Sequence, residues 1–266
     1  MFIIVATPVR AEPAASADGR LEGKMMSETF VLLHGSWHGG WAWEPTAWCL
    51  RELGHTAYTP TYPGHWPGVS RAGITHDDYV TAVTRFITQR DLRDVILVGH
   101  SFGGSVISRV SQLIPERLKR LVFHTAFVVA DGTSVNDNIA PEQTALFAQS
   151  ASASPDNTVE CPWEVFRDLF IQDAPVEDAR SVWERLVPQP FQPWAAKLEL
   201  AEFYRAGLPK SYIAVAEDRA LPEGAWHPGM SSRLGRCKIV EMAGSHEVMF
   251  TRPAELARKL AEAANE

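Results

Sequence analysis

The segment Asp94-Val95-Ile96-Leu97-Val98-Gly99-His100-Ser101-Phe102-Gly103-Gly104 decides the fold. Its first half is a continuous apolar, β-branched run, which suits a strand covered on both faces of a sheet. Its second half contains Gly-x-Ser-x-Gly, and beyond it Val106, Ile107, Val110 and Leu113 fall at helical spacing. A serine on a tight turn between a strand and a helix projects its hydroxyl above the sheet, and the flanking glycines let strand and helix approach without Cβ clashes. The chain contains neither G-x-G-x-x-G nor a P-loop string, so a nucleotide-binding turn is excluded on sequence.

Outward from this segment, short apolar runs alternate with longer helical patterns from residue 29 onward, the signature of βαβ units and a mostly parallel sheet. Strands are predicted at 29–34, 56–60, 94–98, 120–124, 211–216 and 237–242, and helices near 41–53, 76–90, 102–114, 223–234 and 252–264. Residues 131–209 break the rhythm. They show no strand pattern, and their short helical segments, such as 160–170 and 176–187, carry Trp163, Phe166, Phe170 and Trp183, so a helical insertion after the fourth strand is expected. The reading is α/β: one domain over 29–266, a six-stranded sheet with helices on both faces, preceded by a flexible extension at 1–28. No internal repeat is present.

Composition fits this. The 266 residues are 45% hydrophobic and 21% charged, with 25 Lys and Arg against 32 Asp and Glu, a net charge of −7 without runs of like charge. That excludes the electrostatic footprint of a nucleic-acid or anionic-membrane binder. No apolar stretch is long enough to span a bilayer. Cys49, Cys161 and Cys237 are scattered and odd in number, which argues against a disulfide framework or a thiolate metal site. The apolar run at 2–6 is short for a signal peptide and has no basic residue before it, although Ala15-Ser16-Ala17 imitates a cleavage site. A cytoplasmic location is expected.

A serine hydroxyl needs a base to take its proton and an acid to orient that base. In this architecture the order is serine, acid, histidine, each at the C-terminal end of a later strand. His246, after the last predicted strand, fits the base. His227 reads as a surface or packing residue, and the side chain of His100 is expected to point away from its neighbour Ser101. His34 and His38 lack a third ligand at metal spacing, so no metal and no cofactor is expected. For the acid, Asp218 follows the strand 211–216; Glu217 is its rival by one residue, and Asp131 is the fallback location. A tetrahedral oxyanion also needs donors, one from the backbone N–H of Phe102 and one from the loop His34-Gly35-Ser36-Trp37-His38-Gly39-Gly40-Trp41 after the first strand.

With that loop, the G-H-S-x-G-G elbow, the strand leading to Asp218 and the G-x-H before the last helix, the chain resembles the small α/β-hydrolases that include plant methyl esterases, plant hydroxynitrile lyases, related bacterial esterases and pyrethroid hydrolases. The resemblance covers residues 29–264. It implies the α/β-hydrolase fold, a mainly helical cap between 128 and 209, and an oxyanion hole built from the N–H groups of Ser36 and Phe102. Trp37, Phe127 and Trp163 are expected to line an apolar, uncharged substrate site. The expected function is a serine carboxylesterase acting through an acyl-enzyme on a small hydrophobic ester, aromatic esters included, with a homodimer as the expected assembly. The alternatives are a cofactor-free lyase or dioxygenase and a non-catalytic ligand-binding relative. Hydroxynitrile lyases of the resembling group carry a lysine directly after the histidine and a threonine in the first-strand loop. This sequence has Glu247 and Gly35 there, which disfavours cyanide release.

Overall fold

The computed structural model of the chain describes residues 27–265. The flexible extension expected at 1–28 falls outside them except for its end. There Glu28 is fixed: its carbonyl accepts from the N–H of Thr56 at 2.8 Å and its N–H donates to His55 Nδ1 at 3.2 Å.

Six strands form one parallel sheet: β1 (Thr29–Leu33), β2 (Thr56–Tyr58), β3 (Val95–His100), β4 (Leu118–His124), β5 (Lys210–Val215) and β6 (Lys238–Met242), in the order β2-β1-β3-β4-β5-β6. Alternate residues of each central strand enter different layers of the core. Val31, Leu33, Leu97 and Phe123 pack with Val80 and Val83 of α2 (His76–Gln89) and Val106 and Val110 of α3 (Gly103–Leu113). Phe30, Leu32, Ile96 and Val98 pack with Leu50 of α1 (Glu44–Glu52) and Leu256 and Leu260 of α6 (Pro253–Ala264). Both faces are therefore covered, which is why the strands read as continuous apolar runs rather than alternating ones. Each such fully buried side chain contributes roughly 1.5–3 kcal/mol.

Helix α2 begins at a capping box, in which the Thr75 hydroxyl accepts from the N–H of Asp78 and the Asp78 carboxylate accepts from the N–H of Thr75. The helix expected over 223–234 is instead a kinked turn at Ala225–Met230. His227 there is extended, with φ −136° and ψ 125°, because Pro228 disfavours the helical conformation of the residue before it.

The insertion between β4 and β5 holds α4 (Pro141–Ala153), a turn at Trp163–Phe170 and α5 (Val176–Trp183). Contrary to the sequence expectation it also contains strands: Thr158–Val159 pairs antiparallel with Gln189–Pro190. Two-residue strands are too short to leave a period in the sequence.

Candidate active site

Strand β3 ends at His100 and α3 begins at Gly103, so Ser101 lies in the turn between them with a left-handed φ of 52°. A serine is strained there. The turn is fixed from below by Ser101 N–H donating to the His124 carbonyl (3.3 Å) and from the side by Phe127 N–H donating to the Ser101 carbonyl (3.0 Å). The glycines are required by close approach: a Cβ on Gly104 would lie 2.3 Å from the Phe127 carbonyl oxygen, and one on Gly99 would lie 2.6 Å from that of Gly103.

His246 and Asp218 meet across the ends of β5 and β6. Nδ1 of His246 donates to Asp218 Oδ2 at 2.6 Å, with both side chains 1% exposed. Asp218 also accepts from the Thr125 hydroxyl and, at 2.9 Å, from the Ala220 N–H. Burial pushes this carboxyl up, but the charge of His246 and these three hydrogen bonds outweigh it, leaving Asp218 below the ordinary carboxylate value. Burial pulls His246 down, but Asp218 and then Glu247 outweigh it and raise the imidazole above its ordinary 6.5. Glu217 turns the other way, its exposed carboxylate accepting from the Gly244 N–H. Asp131 is spent on the insertion, accepting from the Leu200 N–H at 2.6 Å. Nε2 of His246 makes no hydrogen bond among the described residues, so its contact with Ser101 is not closed.

The loop after β1 faces Ser101. His34 Nδ1–H donates to the Gly35 carbonyl (2.8 Å), and its Nε2 accepts from the Tyr62 N–H (3.2 Å). Trp37 is left-handed, φ 63°. The insertion holds this loop through Trp194 Nε1–H to Ser36 Oγ (2.9 Å), Trp37 Nε1–H to the Val159 carbonyl (2.9 Å) and the Val187 N–H to the Trp37 carbonyl (2.9 Å). The N–H groups of Ser36 and Phe102 hydrogen-bond to no other group among the described residues.

Above Ser101 lies a cavity lined by Ser36, Trp37, Phe127, Phe170, Trp194, Leu221 and Trp226, with Asn136 and Gln143 as further polar side chains. Trp226 stacks on His246 with ring centroids 5.5 Å apart. Of the residues expected to line a substrate site, Trp37 and Phe127 border this cavity, whereas Trp163 packs against Trp183 at 5.9 Å under the guanidinium of Arg180 at 3.6 Å, away from the cavity. The chain winds as a wide π-helix over Phe166–Phe170, so ordinary helical period does not carry Trp163 and Phe170 to the same face, and Phe170 takes the place by the cavity. Trp194, Trp226, Asn136 and Gln143 carried no sequence signal, because their place depends on how irregular segments dock.

Of the other histidines, His227 is exposed and its Nδ1 is 2.7 Å from Ser231 Oγ. His100 lies beneath the site, its Nε2–H donating to the His246 carbonyl at 3.1 Å. Burial depresses His65, His76 and His124 to about 3 each.

A strained serine elbow on a parallel sheet, with an acid–imidazole pair at the ends of the last two strands, defines a hydrolase-type α/β architecture. The chain belongs to the Alpha/beta hydrolase family, whose pattern matches residues 30–259. It is 33% identical to a carbendazim hydrolyzing esterase of Nocardioides sp. (strain SG-4G) over 246 residues, 87% of this chain and 98% of that one. Methylesterase 18 of Arabidopsis thaliana is 26% identical over 266 residues, 91% of this chain and 98% of that one. Three longer Arabidopsis methylesterases are spanned over 56%, 60% and 63% of their length. Among solved structures, an extracellular alpha/beta-hydrolase from a Paenibacillus species, described as sharing structural and functional homology with tobacco salicylic acid binding protein 2, superposes with a TM-score of 0.87 at 42% identity. It covers 90% of this chain and all of that one. Among the described residues no helix is long and apolar enough to cross a membrane.

Proposed function

We propose that the protein is a serine-dependent carboxylic ester hydrolase that works through an acyl-enzyme on an uncharged hydrophobic ester, aromatic esters included. The observation that carries this is the His246–Asp218 pair at the strand ends together with the strained Ser101 turn, which opens on an apolar cavity. In acylation the Ser101 hydroxyl proton passes to His246 Nε2 as Oγ bonds to the ester carbonyl carbon. The N–H groups of Ser36 and Phe102 then stabilise the oxyanion. Asp218 holds the imidazole with Nδ1 protonated and stabilises the imidazolium. Collapse expels the alcohol, which takes the proton from Nε2, and a water repeats the sequence to release the acid. The relatives that hydrolyse carbendazim or methyl esters support the same chemical class.

The insertion serves as the cap of this site, contributing Phe170 and Trp194 to its walls. A cytoplasmic location is supported by three cysteines that are all free, and fractionation of cells expressing the full chain decides between it and export, as in the Paenibacillus relative. The small ester is the expected partner, with a homodimer as the assembly to be checked by sedimentation. The function is tested with a serine-reactive phosphonate and intact mass: one adduct, absent in Ser101→Ala, with parallel loss of aryl-ester turnover is expected. Cyanohydrin cleavage dependent on His246 without ester turnover would overturn the reading in favour of a lyase.

A further inference from the structure

Beside His246 lies a second carboxylate that the proposed reaction does not use. Glu247 follows the histidine in the chain, its N–H donates to the Phe170 carbonyl at 3.1 Å, and its side chain is 1% exposed with neither oxygen hydrogen-bonded. A Glu247 oxygen and donor nitrogens of His246 and His100 all lie within 4.8 Å of one another. On its other side Oε2 faces His38 Nε2 at 3.7 Å, and the rings of Trp41, Phe166 and Phe250 surround the imidazole at 5.5, 6.1 and 6.0 Å.

The protons can be counted. His38 Nδ1 is 2.8 Å from the Ser36 carbonyl oxygen, which can only accept, so Nδ1 carries a hydrogen. In a neutral His38 the lone pair of Nε2 would then face an ionised carboxylate, two acceptors pressed together in a buried site. His38 is the one ion-pair partner of Glu247 among the described residues. Of the other titratable groups facing the pair among the described residues, only His246 is held towards its cationic form, raised by Asp218 and Glu247 against the pull of its burial. Burial holds His34 and His100 low and His65 at about 3, and burial with Glu247 pushes the Cys161 thiol up to about 12. In the proposed reaction His246 must enter as the base, so its proton cannot be the one that neutralises Glu247.

We propose that His38 and Glu247 share one proton and act as a neutral positioning pair, fixing the Ser36 loop through His38 and shielding His246 and the nascent oxyanion from a bare carboxylate. The functional part rests on the esterase reading above. A naked Glu247 charge would oppose the oxyanion and bind the proton on His246 too tightly to return it to the leaving alcohol. The shared proton removes that charge without removing the carboxyl group. Both residues act through Ser36 and His246 rather than on substrate.

Two measurements test this. Imidazole ¹⁵N and carboxyl ¹³C NMR of the full chain at pH 7, assigned with His38→Gln and Glu247→Gln, should show either both His38 nitrogens protonated or Glu247 protonated. A neutral His38 beside an ionised Glu247 would overturn the proposal, whether or not the protein hydrolyses esters. In kinetics with an activated aryl ester, His38→Leu should lower kcat by about tenfold or more with KM little changed, and move the acid limb of the kcat profile to higher pH. Adding Glu247→Leu should return that limb to its wild-type position. An acid limb that is the same in the single and double variants would also overturn it. Absence of turnover by the wild-type protein would instead sink the esterase reading and leave the NMR result to decide the proton.

Discussion

At the scale of single residues, the site turns on which of two adjacent carboxylates meets the imidazole. Asp218 is buried against His246, and Glu217 is exposed and bound to the Gly244 N–H, so the two are not interchangeable despite being neighbours. Asp218→Asn should lower kcat by about 10³-fold or more, whereas Glu217→Gln should stay within about threefold, since it loses one partly exposed hydrogen bond. Steady-state kinetics on one aryl ester compares them. The raised imidazole sets a second expectation. Protonated His246 cannot accept the Ser101 proton, so kcat/KM should fall as pH drops through an apparent pKa above 6.5. An acid limb below 6.5 would show that a different group is titrating.

At the scale of elements, the six sheet strands were legible because burial on both faces writes continuous apolar runs into them, and Ser101 was legible because the elbow demands glycine at fixed offsets. His246 followed from the order of the strands. The insertion was not legible in the same way. In α4 only Ala151 is buried, so the helix has no apolar stripe to find, although Phe147 and Gln143 on it reach the cavity. Which aromatic side chains reach the cavity depends on the docking of turns such as Phe166–Phe170, and Trp163 shows that aromatic character alone does not settle it. The tight crossing of α3 over the strand ends makes a prediction at this scale. Gly104→Ala places a methyl group against backbone that cannot yield locally, so α3 must shift, at a cost of about 1–3 kcal/mol. Thermal melts should register this as a lowered Tm, together with weakened activity through displacement of Ser101.

At the scale of the molecule, the buried histidines set the acid limit of the fold. His65, His76 and His124 each have a folded pKa of about 3 against an unfolded 6.5. Their folded values are depressed, so the stability they carry is complete above pH 6.5 and is lost progressively as pH falls towards 3. Each loses about 1.4 kcal/mol per pH unit in that window, on the order of 8 kcal/mol for the three together by about pH 4.5, comparable with the whole reserve of a domain. Circular dichroism melts from pH 7.5 to 4.5 should show Tm dropping steadily below pH 6.5; a flat Tm would contradict the burial of these rings as neutral groups.

The bonds from Trp194, Val159 and Val187 to the loop at Ser36 and Trp37 have a consequence for cooperativity. One of the sheet's two apolar layers is built wholly by the sheet and its flanking helices, while the insertion packs only into the other, is the less buried unit and opens at lower free energy. Because the loop borrows its shape from that weaker unit, turnover reports on the insertion while the far-ultraviolet signal reports chiefly on the sheet and its helices. In a urea titration the two curves should therefore separate, with ester hydrolysis vanishing first over a protein whose helices and strands are still counted as folded.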